Sequence, residues 1–148
     1  MIVQFCQKII GIQINLKHVV VLSKDKVFIY DLAGMTFVHR LNLEFHLGRV
    51  ILAANASMDR PLLLYSNSAD RGSLKVFNIA NKRITRSISC HKTAILHMNC
   101  DLGANYAVTY SGGSDAIRLW NLNTGAKVAS YLLNSCTEFS SLFLGQAG

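Results

Sequence analysis

The chain has 148 residues, 51% hydrophobic and 16% charged, with a formal net charge of +7 and a pI near 9.5. That length can bury roughly two thirds of the surface of an unfolded chain, and that composition excludes an intrinsically disordered polypeptide. The apolar residues fall in short runs such as 19–22 and 62–65, never the roughly 18 in succession that a membrane-spanning helix requires. The first eight residues lack the basic lead and apolar stretch of a secretory signal, so the expected compartment is the cytosol.

Read in chain order, alternating and short apolar runs predict strands at 9–14, 18–22, 27–32 and 35–41. The series continues at 50–54, 61–65, 74–79 and 83–88, and again at 95–100, 105–110, 117–122 and 127–131. A further strand is expected at 138–144. Turn residues separate them: Ser23-Lys24-Asp25-Lys26, Asp70-Arg71-Gly72 and Ser111-Gly112-Gly113 precede the third strand of each set, and Ala33-Gly34, Ala80-Asn81-Lys82 and Asn123-Thr124-Gly125 follow it. Pro61 stands at a strand start, where its missing N–H breaks no ladder. No segment has sustained helical periodicity.

The third strands share an ending of aromatic, Asp or Asn, then aliphatic: Tyr30-Asp31-Leu32, Phe77-Asn78-Ile79 and Trp120-Asn121-Leu122. The aromatic residues recur at an interval of about 45, the period of a four-stranded propeller blade. A β-sandwich would also place strands every 8 to 12 residues or so, but without this fixed repeat. The expected fold is therefore all-β, a β-propeller of WD-repeat type in one partial domain over 1–148. Its blade-like units lie at about 9–41, 50–88 and 95–131, with the start of another at 138–144. Because propellers carry about four to eight blades, such a chain is a truncated product, part of something larger, or a protein that associates through its open edges.

Chemistry is sparse. Cys6, Cys90, Cys100 and Cys136 form no Cys-x-x-Cys pair and have no histidine at zinc-ligand spacing, so they read as reduced packing residues, and no metal or cofactor is expected. Gly112-Gly113 reads as a hairpin rather than a phosphate loop, and the few acidic residues fall mostly in turns without a pair for acid–base work. No catalytic residue is assigned and no enzyme activity is expected. The basic balance favours an anionic partner. Lysines and arginines dispersed through turns, without interleaved aromatics, argue against nucleic acid.

The stretch 19–32, followed by Met35 and His39, resembles the second blade of PROPPINs, the WIPI-like phosphoinositide-interacting WD-repeat family. Gly72-Ser73-Leu74-Lys75-Val76-Phe77-Asn78, the turn Cys90-His91-Lys92-Thr93-Ala94-Ile95 and the segment 114–128 resemble later parts of the family in the same order. The resemblance implies about three to three and a half blades of a seven-bladed ring. It also implies a cytoplasmic scaffold, peripheral on autophagosomal precursor or endosomal membranes. Its implied partners are phosphatidylinositol 3-phosphate or 3,5-bisphosphate and autophagy or trafficking proteins.

By the same resemblance Tyr131-Leu132-Leu133-Asn134 occupies the place of Phe-Arg-Arg-Gly, whose two arginines bind the lipid headgroups in the family. Leucine offers neither the charge nor the planar donor fork of a guanidinium, so lipid binding is expected to be weakened or lost. His91, Lys92, Ser111, Ser114 and Arg118 are the remaining lipid-binding candidates. Against them stand plainer roles: a turn-capping histidine and a solvent-facing strand arginine. The family's membrane-inserting loop is expected beyond the arginine motif and outside this chain. The alternative function is a WD-repeat protein-interaction module that ignores lipid.

Overall fold

In a computed structural model, the described residues are 3–5, 7–43, 50–55, 59–67, 71–113 and 116–132, with the side chains of 50–53 excepted. They form three antiparallel four-stranded sheets. The first contains β1 (Gly11–Ile14), β2 (His18–Leu22), β3 (Lys26–Asp31) and β4 (Thr36–Asn42). The second contains β5 (Val50–Ala54), β6 (Leu62–Asn67), β7 (Ser73–Asn78) and β8 (Arg83–Ser89). The third contains β9 (His97–Cys100), β10 (Tyr106–Ser111), β11 (Ala116–Asn121) and β12 (Lys127–Leu132). In each sheet the spatial order follows the chain order. First strands adjoin one another, β1 with β5 and β5 with β9, while β4, β8 and β12 lie at the far edge of each sheet. This is the arrangement of propeller blades. The expected strand at 138–144 lies outside the described residues.

The repeated aromatic-Asp/Asn ending has a local cause. Asp31 Oδ1 accepts the backbone N–H of Ala33, Asn78 Oδ1 those of Ala80 and Asn81, and Asn121 Oδ1 those of Asn123 and Thr124. A short side-chain acceptor at the end of the third strand thus closes each hairpin. Four residues on, Met35, Lys82 and Gly125 all take a left-handed conformation, with φ of 51°, 58° and 77°. That is why the strand expected from Met35 begins instead at Thr36, after a turn residue that cannot pair. Asn15, Asn55 and Asp101 do the same work before the second strands.

Period-two alternation then sends β6 both ways. Leu63 and Tyr65, with Phe77 and Ile79, meet Val20, Leu22, Val27 and Ile29 of the first sheet. Leu62 and Leu64, with Leu74, Val76 and Ile88, meet Cys100, Ala107, Trp120 and Leu122 of the third. Leu63 and Leu64 are both wholly buried, each contributing about 1.5–3 kcal/mol from removal of apolar surface. All six residues of β6 are buried because neighbours cover both faces of its sheet. The fourth strands are mostly exposed.

Candidate functional site

Three of the sequence candidates, His91, Ser111 and Arg118, gather where the second sheet meets the third. After β8 the chain turns at Cys90 and His91, whose backbone N–H groups both donate to the Gly72 carbonyl, at 2.9 and 3.2 Å. Gly72 has φ of 84° and follows Arg71, also left-handed. A side chain on Gly72 would collide with the carbonyl oxygens of His91 and Thr93. The β6–β7 turn and the segment entering the third sheet are therefore pressed together backbone to backbone.

His91 is buried. Its Nε2 lies 2.8 Å from Thr109 Oγ1, and the Trp120 indole N–H donates to the same oxygen at 3.0 Å. One hydroxyl on β10 thus ties the segment entering the sheet to β11. Nδ1 of His91 has no partner among the described residues. Burial, reinforced by the Arg118 charge, holds the imidazole down at a pKa of about 4, against the small upward pull of its bond to Thr109. The ring is neutral at physiological pH and faces the protein.

Arg118 lies on β11 beside it, half-buried rather than solvent-facing as its strand position suggested. The third sheet's inward face turns it toward the second, and its guanidinium donates to the Cys90 carbonyl. Ser111 is buried and its hydroxyl bonds with that of Thr93. Lys92 is exposed. Ser114 lies outside the described residues. Tyr131 and Leu132 end β12 on the surface, Leu132 with 82% of its area exposed. Leu133 and Asn134 lie outside the described residues. Thr109, Trp120 and Thr93, which the sequence reading did not single out as site residues, hold His91 and Ser111 in place. The signal available for them was Trp120 at the aromatic position of a strand neighbouring a histidine-bearing turn.

Cys90 and Cys100 are free, buried thiols, each pushed up to about 12, mainly by burial, so neither is a poised nucleophile. Among the described residues no cluster of His, Cys, Asp and Glu could hold a metal ion, and no helix is long and apolar enough to cross a membrane.

A pH dependence follows from His91. Between its ordinary value near 6.5 and about 4 the unfolded chain binds a proton that the folded chain refuses, so stability falls as pH falls through that window and is level above it. His18 and His39, both lowered mainly by burial, act in the same direction. Urea midpoints followed by the fluorescence of Trp120 should decline from pH 7 to pH 4. His91→Gln should have a shallower decline; an identical slope would show that His91 is not the group responsible.

No family model matches the chain. Curated relatives do. Autophagy-related protein 21 of Pichia angusta is 23% identical over 140 residues, covering 90% of this chain and 36% of the relative. Autophagy-related protein 18 of Caenorhabditis elegans is 23% identical over 143 residues, covering 94% and 34%. WD repeat domain phosphoinositide-interacting protein 2 of Mus musculus is 20% identical over 146 residues, covering 97% and 33%. The chain resembles the PROPPINs over most of its length. It spans about a third of the length of these PROPPIN relatives.

Among solved structures, a complex of KlAtg21 with the coiled coil of AgAtg16 matches with a TM-score of 0.68 and 19% identity, over 79% of this chain and 38% of that one. The WD40 repeats of RRP9 match with a TM-score of 0.70 and 10% identity, over 89% and 41%. At those identities the structural likeness establishes the WD-repeat propeller fold, which the PROPPIN-like chain shares with propellers of other kinds.

Proposed function

We propose that the chain is a non-catalytic PROPPIN-like scaffold that recruits autophagy or trafficking proteins, with phosphoinositide binding weakened or lost. The observation that carries the reading is a likeness to autophagy-related and phosphoinositide-interacting proteins in register along 90–97% of the chain. The side chains support the weakened lipid affinity. Leu132 offers an exposed apolar end where the family resemblance implies a guanidinium. The surviving candidates are already engaged within the fold: His91 with Thr109, Ser111 with Thr93, Arg118 with Cys90. Lys92 remains as an exposed cation, and an isolated surface lysine contributes little specific affinity. Each missing arginine removes charge-assisted bonds of about 1.5–3 kcal/mol, roughly tenfold to a hundredfold in affinity. The site of action in this reading is the cytoplasmic face of autophagosomal precursors or endosomes.

The test is flotation with liposomes containing phosphatidylinositol 3-phosphate or 3,5-bisphosphate, comparing the natural chain with Leu132→Arg/Leu133→Arg. The natural chain should stay with the soluble fraction and the double variant should float. Specific flotation of the natural chain would overturn the weakened-lipid reading. Failure of both would leave the protein-interaction module, which the His91–Thr109–Trp120 network also favours, as a purely structural use of the histidine.

A further inference from the structure

Residues 72–100 contain no aspartate or glutamate, yet they carry Lys75, Lys82, Arg83, Arg86 and Lys92. Three of these cations flank one hydroxyl: Lys82 and Arg83 stand three and two residues before Thr85, and Arg86 follows it. No other serine or threonine of the chain has a lysine or arginine at both preceding positions. Lys82, Arg83 and Thr85 are all exposed. They belong to the hairpin turn and outer strand of the second sheet, β8, which pairs with β7 alone among the described residues.

The local structure presents Thr85. Val76 pairs with Arg86 and Phe77 with Ile84, so Thr85 is the extra residue of a β-bulge and has no place of its own in the ladder. Its hydroxyl is held by a long bond to the Val76 carbonyl, 3.3 Å, which water can replace. Of the seven residues of β8 only Ile88 is buried. Residues 82–87 can therefore lift from β7 into a catalytic cleft without uncovering the core.

We propose that Thr85 is a phosphorylation site for a basophilic protein kinase, one whose substrate groove carries carboxylates, and that the phosphate then captures Arg86. In the transfer the Thr85 hydroxyl oxygen bonds to the γ-phosphorus of ATP as the bond from that phosphorus to the β–γ bridging oxygen breaks. ADP leaves, and the hydroxyl proton passes to the kinase's aspartate base. Arg86 is placed to respond. Its guanidinium donates to the Asn123 and Thr124 carbonyls of the third sheet, at 2.7 and 2.9 Å, a bridge between sheets on the outer surface. The bulge sets Thr85 beside Arg86, both against Val76, and a phosphate dianion is a stronger acceptor for a guanidinium than two neutral carbonyls. Phosphorylation thus loosens the outer margin of the junction between the second and third sheets. The inference rests on the charges and edge geometry of β8 and is independent of the proposed scaffold function.

The experiment is to incubate the folded chain with the catalytic subunit of a cyclic-nucleotide-dependent kinase and magnesium ATP, and to locate phosphate by fragment mass spectrometry. Ser89 and Ser130 are internal comparators, exposed hydroxyls with a cation three residues before them but none two before. Phosphate should enter at Thr85 first, and Lys82→Ala/Arg83→Ala should slow that entry by about tenfold or more. Hydrogen exchange across residues 121–127 should quicken in the phosphorylated chain, as it should in unmodified Arg86→Gln. No incorporation, or entry at Ser89 or Ser130 as fast as at Thr85, overturns the site. Exchange unchanged by phosphate on Thr85 overturns the capture of Arg86.

Discussion

Gly72→Ala is expected to lower the stability of the chain by about 3 kcal/mol or more, combining a left-handed backbone disfavoured by a Cβ with a collision against backbone. The atoms it meets are the carbonyl oxygens of His91 and Thr93, which cannot rotate away as a flexible side chain would. Relief requires parting the β6–β7 turn from the segment that enters the third sheet, at the cost of the two hydrogen bonds from Cys90 and His91 to the Gly72 carbonyl. The loss should appear as a lower urea midpoint, read by Trp120, which is buried just across that junction. Gly11→Ala is the control: its new methyl would lie 3.6 Å from Leu22, an ordinary contact, and its φ is not left-handed. Equal effects from the two substitutions would mean that the Gly72 junction is looser than described.

Thr109→Val is expected to have the next largest effect, about 2–4 kcal/mol, although it keeps nearly the same shape. The hydroxyl serves two buried partners, the Trp120 indole N–H at 3.0 Å and His91 Nε2 at 2.8 Å. Valine leaves the indole donor without an acceptor in a buried site, and leaves His91 Nε2 without its hydrogen bond while Nδ1 is already unpartnered among the described residues. Thr109→Ser keeps the hydroxyl and should recover most of the midpoint, its remaining deficit reflecting the lost methyl group. A valine variant as stable as the natural chain would show that the network adds nothing to the fold.

The fold was largely legible because its signals are local. The Asp31, Asn78 and Asn121 positions announce hairpins, since a carboxylate or amide oxygen that caps a turn acts within three residues of itself. The aromatic residue before each cap and the alternation along β6 then give the blade period and the two-sided burial. Boundaries slipped where a backbone conformation, rather than a side chain, decides. Nothing in the residue Met35 states that it will be left-handed, while Gly125 at the equivalent position does suggest it.

The site was less legible. His91, Ser111 and Arg118 carry the same chemistry whether they face a phosphate or a neighbouring strand, and only packing tells which. The sequence by itself determined an all-β repeat, its period, its turn chemistry and the leucines at 132 and 133, because each depends on residues close in the chain. The tertiary structure alone decided that His91 is neutral and turned onto Thr109, and that Arg118 reaches Cys90 from the third sheet to the second. Those outcomes depend on contacts such as Arg118 with Cys90, 28 residues apart, which form only when separate sheets dock and displace the water between them.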